Sequence, residues 1–212
     1  MRARNNITLL AFALLVACAS NTVLVSVPPR MELKSYAPLG IVDFASNAEQ
    51  STSARATRQF QEQIQGAQPG TPFIELGDRE TVLSAVGAKQ LDAAAIRKIG
   101  EKYGVRAVFV GELAYSEPRM DVKLSDVTKL DAGVRAEMRG DISSRLIDTA
   151  TGASVWSSSA WARRQLGALQ VSATQGVSGA VSKSNPREEM VPALVYHLTG
   201  DFRPTTERQP AK

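Results

Sequence analysis

The segment Asp92–Leu113 constrains the fold more than any other part of the chain, because it predicts a helix that leads directly into a buried strand. Asp92 is a residue type that caps helix N-termini. Apolar Ile96, Ile99 and Tyr103 follow at the spacing of one helix face. This side of the helix is therefore predicted to pack on another element.

The end of this helix and the next residues define the layer on which it packs. Gly104 stands where a helix C-terminus favours a left-handed residue. The run Ala107–Val110 is apolar and rich in β-branched and aromatic types, which is typical of a strand covered on both faces. A helix leading into such a strand must lie on a sheet, so the sequence predicts a layered α/β (α+β) domain rather than a helical bundle.

The N-terminal residues 1–17 have the properties of an export signal. Arg2 and Arg4 precede the apolar stretch Ile7–Ala17, which is shorter than the ~20 apolar residues that span a bilayer. Cys18 follows the letters LVA, and this pattern resembles the lipobox of bacterial lipoproteins, in which the cysteine is diacylated and becomes the mature N-terminus. The alternative is an ordinary signal peptide with an incidental cysteine.

The lipobox resemblance implies a lipid anchor and a location in the cell envelope. Two or three acyl chains, at ~0.8 kcal/mol per buried methylene, hold a protein on a membrane essentially permanently. The residue after Cys18 is Ala19 rather than Asp, which by resemblance to sorted bacterial lipoproteins implies the periplasmic face of the outer membrane. Cys18 is the only cysteine, so intramolecular disulfides and cysteine-ligated metal clusters are excluded.

The charge balance gives no indication of a nucleic-acid partner. The sequence has 25 basic and 21 acidic residues, and Arg2 and Arg4 fall within the predicted leader. The remaining charges are interspersed, without the long basic runs that nucleic-acid binding favours. We therefore expect no nucleic-acid binding.

The domain boundaries follow from composition. Residues 18–35 are predicted to form the acylated N-terminus and either a flexible tether or an edge strand, since Val23–Val27 has β-propensity. Residues 36–204 are predicted to form one periplasmic α/β domain, and residues 205–212 a flexible tail.

A β-hairpin is predicted near the C-terminal end of the domain. The stretches Ile142–Ile147 and Ala153–Trp161 flank Asp148–Gly152, a loop with Asp at its entry and Gly at a position that requires a positive φ. Trp156 and Trp161 are separated by an odd number of positions, so they are predicted to lie on opposite faces of the strand. We expect Trp156 in the core and Trp161 at the surface.

The exposed tryptophan and the arginines after it are the candidate partner contacts. Trp161, Arg163 and Arg164 together could bind a glycan or a partner protein. The alternative is a tryptophan that covers the sheet beside solvated arginines.

Two long stretches show little regular pattern in the sequence. Tyr115–Gly133 scatters acidic residues among lysines without calcium-loop spacing, and Gly167–Ser184 is rich in small residues. Both are predicted to be irregular, and neither shows the continuous apolar face of a membrane-inserted strand. A C-terminal helix is predicted to begin near Asn185 with Pro at its first position.

Two motifs resemble a known group of bacterial proteins. The segment Ile99–Glu112 is similar to the helix–strand signature shared by the TolB amino-terminal-like domain and the CsgG group of lipoproteins. Arg145–Ser157, with the letters RLIDTATGASVWS, resembles the hairpin of the same group. Over Tyr36–Phe202, the resemblance implies a single mixed sheet flanked by helices, followed by a C-terminal hairpin and helix. It also implies a role in the cell envelope.

The sequence lacks a recognisable catalytic motif, phosphate loop or metal cluster, so we expect no enzyme activity, cofactor or metal. His197 and Asp43 have no catalytic partner in the sequence and are interpreted as structural. The leading hypothesis is a non-enzymatic interaction module that binds envelope proteins or peptidoglycan. The alternatives are an activator of a peptidoglycan synthase, a subunit of a CsgG-like export channel and an envelope hydrolase. A homo-oligomer is compatible with each.

Overall fold

The computed structural model of this chain describes residues 22–126, 131–172, 176–181 and 185–210. The chain divides into two compact units. Arg30–Arg203 form the larger unit, and the segments before and after it form the smaller one.

The smaller unit is a two-stranded ribbon. Strand β1 (Thr22–Val27) pairs antiparallel with β10 (Thr205–Pro210). Of the two alternatives for residues 18–35, the structure thus has a strand over Thr22–Val27. The prediction of a flexible tail over residues 205–212 is wrong for Thr205–Pro210. Backbone pairing with β1 orders this segment, although it has no apolar pattern that would reveal a strand.

The larger unit is built from helices and strands that alternate in its first half. Among the described residues, its α-helices are α1 (Gln50–Ala67), α2 (Arg79–Ala85), α3 (Ala93–Tyr103) and α4 (Pro186–Leu198). Its first strands are β2 (Leu39–Val42), β3 (Ala45–Ser46), β4 (Phe73–Gly77) and β5 (Ala107–Tyr115). They are followed by β6 (Arg119–Asp126), β7 (Asp131–Asp148), β8 (Ser154–Ser172) and β9 (Gly176–Val181). Single 3₁₀ turns lie at Lys34–Tyr36 and Gly200–Phe202.

These strands form one mixed sheet in the order β4-β2-β5-β7-β8-β9. The neighbours β4, β2 and β5 are parallel, as helical crossovers require, whereas β5, β7, β8 and β9 are antiparallel. Strand β3 pairs with β5, and β6 pairs with β7. The predicted fold class, a mixed sheet flanked by helices with a later hairpin and helix, is confirmed.

The main core lies between one face of the sheet and the helices α1 and α4. Phe109 of β5 is at its centre, with ring centroids 5.2 Å from Phe60 and 5.9 Å from both Trp156 and Phe202. These edge-to-face contacts are the preferred geometry of aromatic pairs. The prediction that Trp156 lies in the core is confirmed.

A smaller core lies on the opposite face. Val82 of α2 and Ile96 and Ile99 of α3 belong to one cluster with Val108 and Val110 of β5. This second layer is why the strand at residues 107–110 is apolar at every position: alternate residues face two different cores.

The helix–strand segment has the local structure that its sequence predicts. The Asp92 side chain accepts a hydrogen bond from the Ala95 backbone N–H at 2.8 Å and so caps α3. Gly104 ends the helix with φ 67°, in the left-handed region. Val108 and Phe109 are fully buried.

The hairpin is also confirmed, but it is much longer than predicted. The Asp148 side chain accepts from the Thr151 N–H at 2.8 Å, and Gly152 has φ 76°. The prediction that Tyr115–Gly133 and Gly167–Ser184 are irregular is wrong, because most of both stretches belongs to β5–β9. In β6, with the sequence RMDVKLSD, polar and apolar residues alternate, and this period of two was masked by the many charges.

Candidate functional site

The candidate site is the part of the sheet that the helices leave uncovered. Helices α2 and α3 pack over β2, β4, β5 and the end of β7 at Ile147, but among the described residues their cluster includes no earlier residue of β7 and none of β8. We call this uncovered side of β7 and β8 the open face. Its residues are Arg139, Asp141, Ser143 and Arg145 on β7 and Ser157, Ser159, Trp161 and Arg163 on β8.

At one end of the open face, four side chains form an aromatic–arginine cluster. Trp161 is 56% exposed and lies directly opposite Asp141, while Arg139 lies opposite Arg163. The guanidinium carbons of Arg139 and Arg163 are 5.2 and 5.4 Å from the centroid of the Trp161 ring. Such cation–π contacts restrain the ring, although more than half of the Trp161 surface remains exposed.

Asp141 fixes the position of one of these arginines. The Arg139 Nε donates to both carboxylate oxygens of Asp141, at 3.0 and 2.9 Å. This hydrogen bonding raises the pKa of Arg139 above its ordinary value. The cluster therefore presents an aromatic ring next to the Arg163 guanidinium, which has no ion pair with any described residue, and this combination suits an anionic or polar partner.

Further along the open face lies a groove of about 410 Å³. We call it the serine groove, after the hydroxyls of Ser143, Ser157 and Ser159. Arg145 lies at one side of it, and Arg79 of α2 closes another. Val110, Gly111, Glu112, Ser144 and Ser158 complete the lining.

Two of the charged groups in the serine groove are paired and a third is not. Arg79 Nη2 lies 3.3 Å from Glu112 Oε1, yet its Nε is buried without a hydrogen-bond partner among the described residues. The Arg145 side chain has no ion pair or hydrogen bond with any described residue, and neither do the hydroxyls of Ser143, Ser157 and Ser159. The groove thus has one net positive charge and several unused hydrogen-bonding groups.

The structure separates the three residues that the sequence grouped as candidate partner contacts. Trp161 and Arg163 lie together on the open face. Arg164 lies on the other face of β8, where it forms an ion pair with Glu189 of α4. Consecutive residues of a strand point to opposite faces, so Arg163 and Arg164 cannot serve one flat surface.

Sequence reasoning missed Arg139, Asp141 and the three serines of the groove. Their proximity to Trp161 comes from the register of β7 against β8. A sequence signal was present in the alternation of polar residues along both strands. It could not show which polar residues become neighbours across the sheet.

The other candidate residues lie away from the open face. His197 is exposed on α4, with its ring centroid 5.7 Å from that of Tyr196. Asp43 follows β2, and partial burial, with smaller effects from Asp78 and Glu75, raises its pKa above the ordinary value. Among the described residues, no group of three or more His, Cys, Asp and Glu side chains is arranged to hold a metal.

The predicted lipid anchor at Cys18 lies outside the described residues, so its acylation stays a prediction. In the part of the chain that the structure covers, no helix is long and apolar enough to cross a membrane.

Comparison with known proteins finds similarity only among solved structures. No protein-family model matches the sequence. No curated protein matches it either. A PelC dodecamer from Paraburkholderia phytofirmans is similar with a TM-score of 0.42 at 15% identity, over 86% of this chain and 98% of that one.

Two further solved structures are similar over a shorter part of the chain. The C-terminal domain of LpoB from Salmonella enterica has a TM-score of 0.35 at 12% identity, over 58% of this chain and 80% of that one. Lipoprotein GNA1162 from Neisseria meningitidis has a TM-score of 0.34 at 16% identity, over 60% and 82% of the two chains. At this distance the similarity carries no argument about function.

Proposed function

We propose that this protein is an envelope lipoprotein that acts as a non-enzymatic interaction module through its open face. The observation that carries the proposal is the aromatic–arginine cluster, in which Trp161 is 56% exposed yet fixed by Arg139 and Arg163. Tryptophan and arginine dominate binding energies at protein interfaces. A side chain already held in its binding position loses less conformational entropy when a partner arrives.

The proposal places the module on the periplasmic face of the outer membrane, anchored through Cys18. Support comes from the lipobox-like sequence that ends at this sole cysteine and from Ala19 after it. Cys18→Ser should yield an uncleaved or soluble species without acyl label. Ala19→Asp is the matched control, which should keep the anchor and move the protein to the inner-membrane fraction. Unchanged fractionation and labelling of Cys18→Ser would contradict the anchor.

The interaction itself is tested by crosslinking and affinity capture from intact envelopes. Trp161→Ala and Arg163→Ala should each lose the captured partner, because both remove part of the cluster. Tyr196→Ala is the matched control, since Tyr196 is 55% exposed, also contacts an arginine and lies on α4, which covers the other face of the sheet. Capture that survives both cluster variants would exclude the open face as the interaction surface.

The nature of the captured partner decides between two versions of this function. Recovery of a peptidoglycan synthase would identify the protein as an activator of that enzyme. Recovery of peptidoglycan fragments or another envelope protein would favour a more general assembly role.

A second candidate function, a subunit of a CsgG-like export channel, is favoured by one observation. In the register of the sheet, Val122 of β6 pairs with Val134 of β7, and Val134 pairs with Leu169 of β8. Apolar residue types thus lie at matching positions on three neighbouring strands. Of these strands, β7 is 18 residues long and β8 is 19 residues long. Membrane-inserted strands need only ~9–11 residues with such a pattern.

A further inference from the structure

We infer that the serine groove, together with Trp161, binds an acidic oligosaccharide. This inference rests on the proposed function, because it names the class of partner that the open face takes. The two parts of the site are contiguous: Ser157, Ser159 and Trp161 follow one another at alternate positions along β8. From Trp161 to Ser157, opposite Arg145, the strand extends about 13 Å, at ~3.3 Å per residue, which accommodates a short chain of sugar rings.

The net positive charge of the groove favours an acidic group on the ligand. The Arg79–Glu112 pair is neutral overall, which leaves the Arg145 guanidinium as the net charge. Arg79 Nε is buried without a partner, and a buried donor that lacks a hydrogen bond is destabilising. A carboxylate bound in the groove would accept hydrogen bonds from the exposed Arg145 guanidinium, whereas the Arg79 Nε has no surface that a ligand can reach.

The remaining groups match the hydroxyls and ring faces of a sugar. Ser143, Ser157 and Ser159 present hydroxyls that make no hydrogen bond with the described residues, and each can both donate and accept. Beside the groove, two positions beyond Ser159 on β8, the 56% exposed Trp161 side chain offers apolar ring surface for the C–H face of a pyranose.

An acidic protein segment is the other class of ligand with the same charge. Segments of this kind are recognised by clusters of several arginines. Among the described residues of the serine groove, only the Arg145 guanidinium has no ion pair, since Arg79 is paired with Glu112. The groove is lined by serines and charged residues on the face of paired strands, so the structure favours a sugar.

The test is calorimetric titration of the full-length protein in detergent with tetragalacturonate. Arg145→Gln and Trp161→Ala should each raise the Kd at least about tenfold, as the loss of a charged hydrogen bond or a stacking surface does. Trp161→Phe, which keeps a ring, should remain within about threefold. The controls Arg58→Gln and Tyr196→Ala change an exposed arginine of α1 and an exposed aromatic of α4, and should leave the Kd unchanged.

Two further ligands make the result specific. The neutral tetra-N-acetylchitotetraose and a glutamate tetrapeptide should each bind at least about tenfold more weakly than tetragalacturonate. The inference is overturned if tetragalacturonate does not bind, if the control variants weaken it equally, or if the peptide binds as tightly. If titration fails while envelope capture still depends on Trp161, only the sugar assignment is lost. If both fail, the proposed function is lost with it.

Discussion

At the scale of single residues, Gly111 shows how closely the main core is packed. A Cβ built on Gly111 would lie 2.6 Å from the Phe44 ring, closer than carbon atoms approach in folded proteins. Phe44 is itself buried, and its ring centroid is 5.2 Å from that of Phe60, so it has little room to move. The absent side chain is therefore part of the packing.

We expect Gly111→Ala to lower the free energy of unfolding by about 1–3 kcal/mol, because overpacking forces neighbouring side chains out of their rotamers. Urea denaturation would measure it. Gly66→Ala is the control, since nothing lies within 4 Å of that site in α1, and alanine there should stabilise the helix by up to ~1 kcal/mol. Equal stability of the two variants would show that the Phe44 ring is not held against Gly111.

The titration of four aspartates sets the acid sensitivity of the fold. Hydrogen bonds with Thr81 lower the pKa of Asp78, a backbone hydrogen bond with Ala95 lowers that of Asp92, and hydrogen bonds with Thr151 lower that of Asp148. Their stabilising contribution is complete above the ordinary value of 3.8 and is lost as the pH falls through the lower folded-state values. Burial raises the pKa of Asp43, so the charged form of this carboxylate destabilises the folded protein, and this destabilisation is relieved as the pH falls.

We therefore expect the midpoint of thermal unfolding to fall as the pH drops below about 4. Asp92→Asn keeps a capping residue but removes one titrating group. The unfolding midpoint of this variant should therefore fall less in acid than that of the wild type. Asp43→Asn should stabilise the protein at neutral pH, since it removes a disfavoured charge, and should make little difference in strong acid. An Asp43→Asn variant that is less stable at neutral pH would assign that carboxylate a stabilising contact.

At the scale of elements, strand β5 connects the two cores. Its residues alternate between the face covered by α1 and α4 and the face covered by α2 and α3. Val108 is 0% exposed and belongs to the second of these layers. An unpaired charge at this position cannot reach solvent without disrupting the packing of α3.

Val108→Asp should cost several kcal/mol of the ~5–15 kcal/mol that stabilises a typical domain. Loss of the cooperative thermal transition, followed by circular dichroism, is the expected result. Val23→Asp introduces the same change at a residue that is 49% exposed in β1 and should unfold like the wild type. Normal unfolding of Val108→Asp would be incompatible with β5 as the central strand.

At the scale of the whole molecule, the choice between interaction module and channel subunit depends on how the protein meets the membrane. If the acylated Cys18 is the sole membrane contact, a shortened chain that begins at Asn21 should be soluble without detergent and should fold. Its described core residues all lie within Arg30–Arg203 and would be retained. Open polar backbone in hydrocarbon costs several kcal/mol for each unsatisfied group, so a soluble fold cannot also insert freely.

Size-exclusion chromatography without detergent and conductance across planar bilayers would measure these properties. Full-length protein with Cys18 intact is the control and should require detergent. If the shortened chain also needs detergent, or forms conducting rings, the result would contradict the interaction module and favour the channel subunit.

The sequence alone determined the features that depend on near neighbours. The cap at Asp92, the left-handed Gly104 and the apolar run at residues 107–110 each follow from a local rule of capping, φ or periodicity. The placement of Trp156 and Trp161 on opposite sides of β8 follows from the alternation of a strand. The structure confirms each of these predictions.

Only the tertiary structure decided which distant residues become neighbours. It places Arg139 and Asp141 beside Trp161, pairs Arg164 with Glu189, and joins β1 to β10 from opposite ends of the chain. Cross-strand register depends on the packing of every element against the sheet, and a shift of one position would exchange the two faces of a strand. The extent of the open face therefore depends on how much of the sheet α2 and α3 cover. The local sequences of β7 and β8 do not predict this coverage.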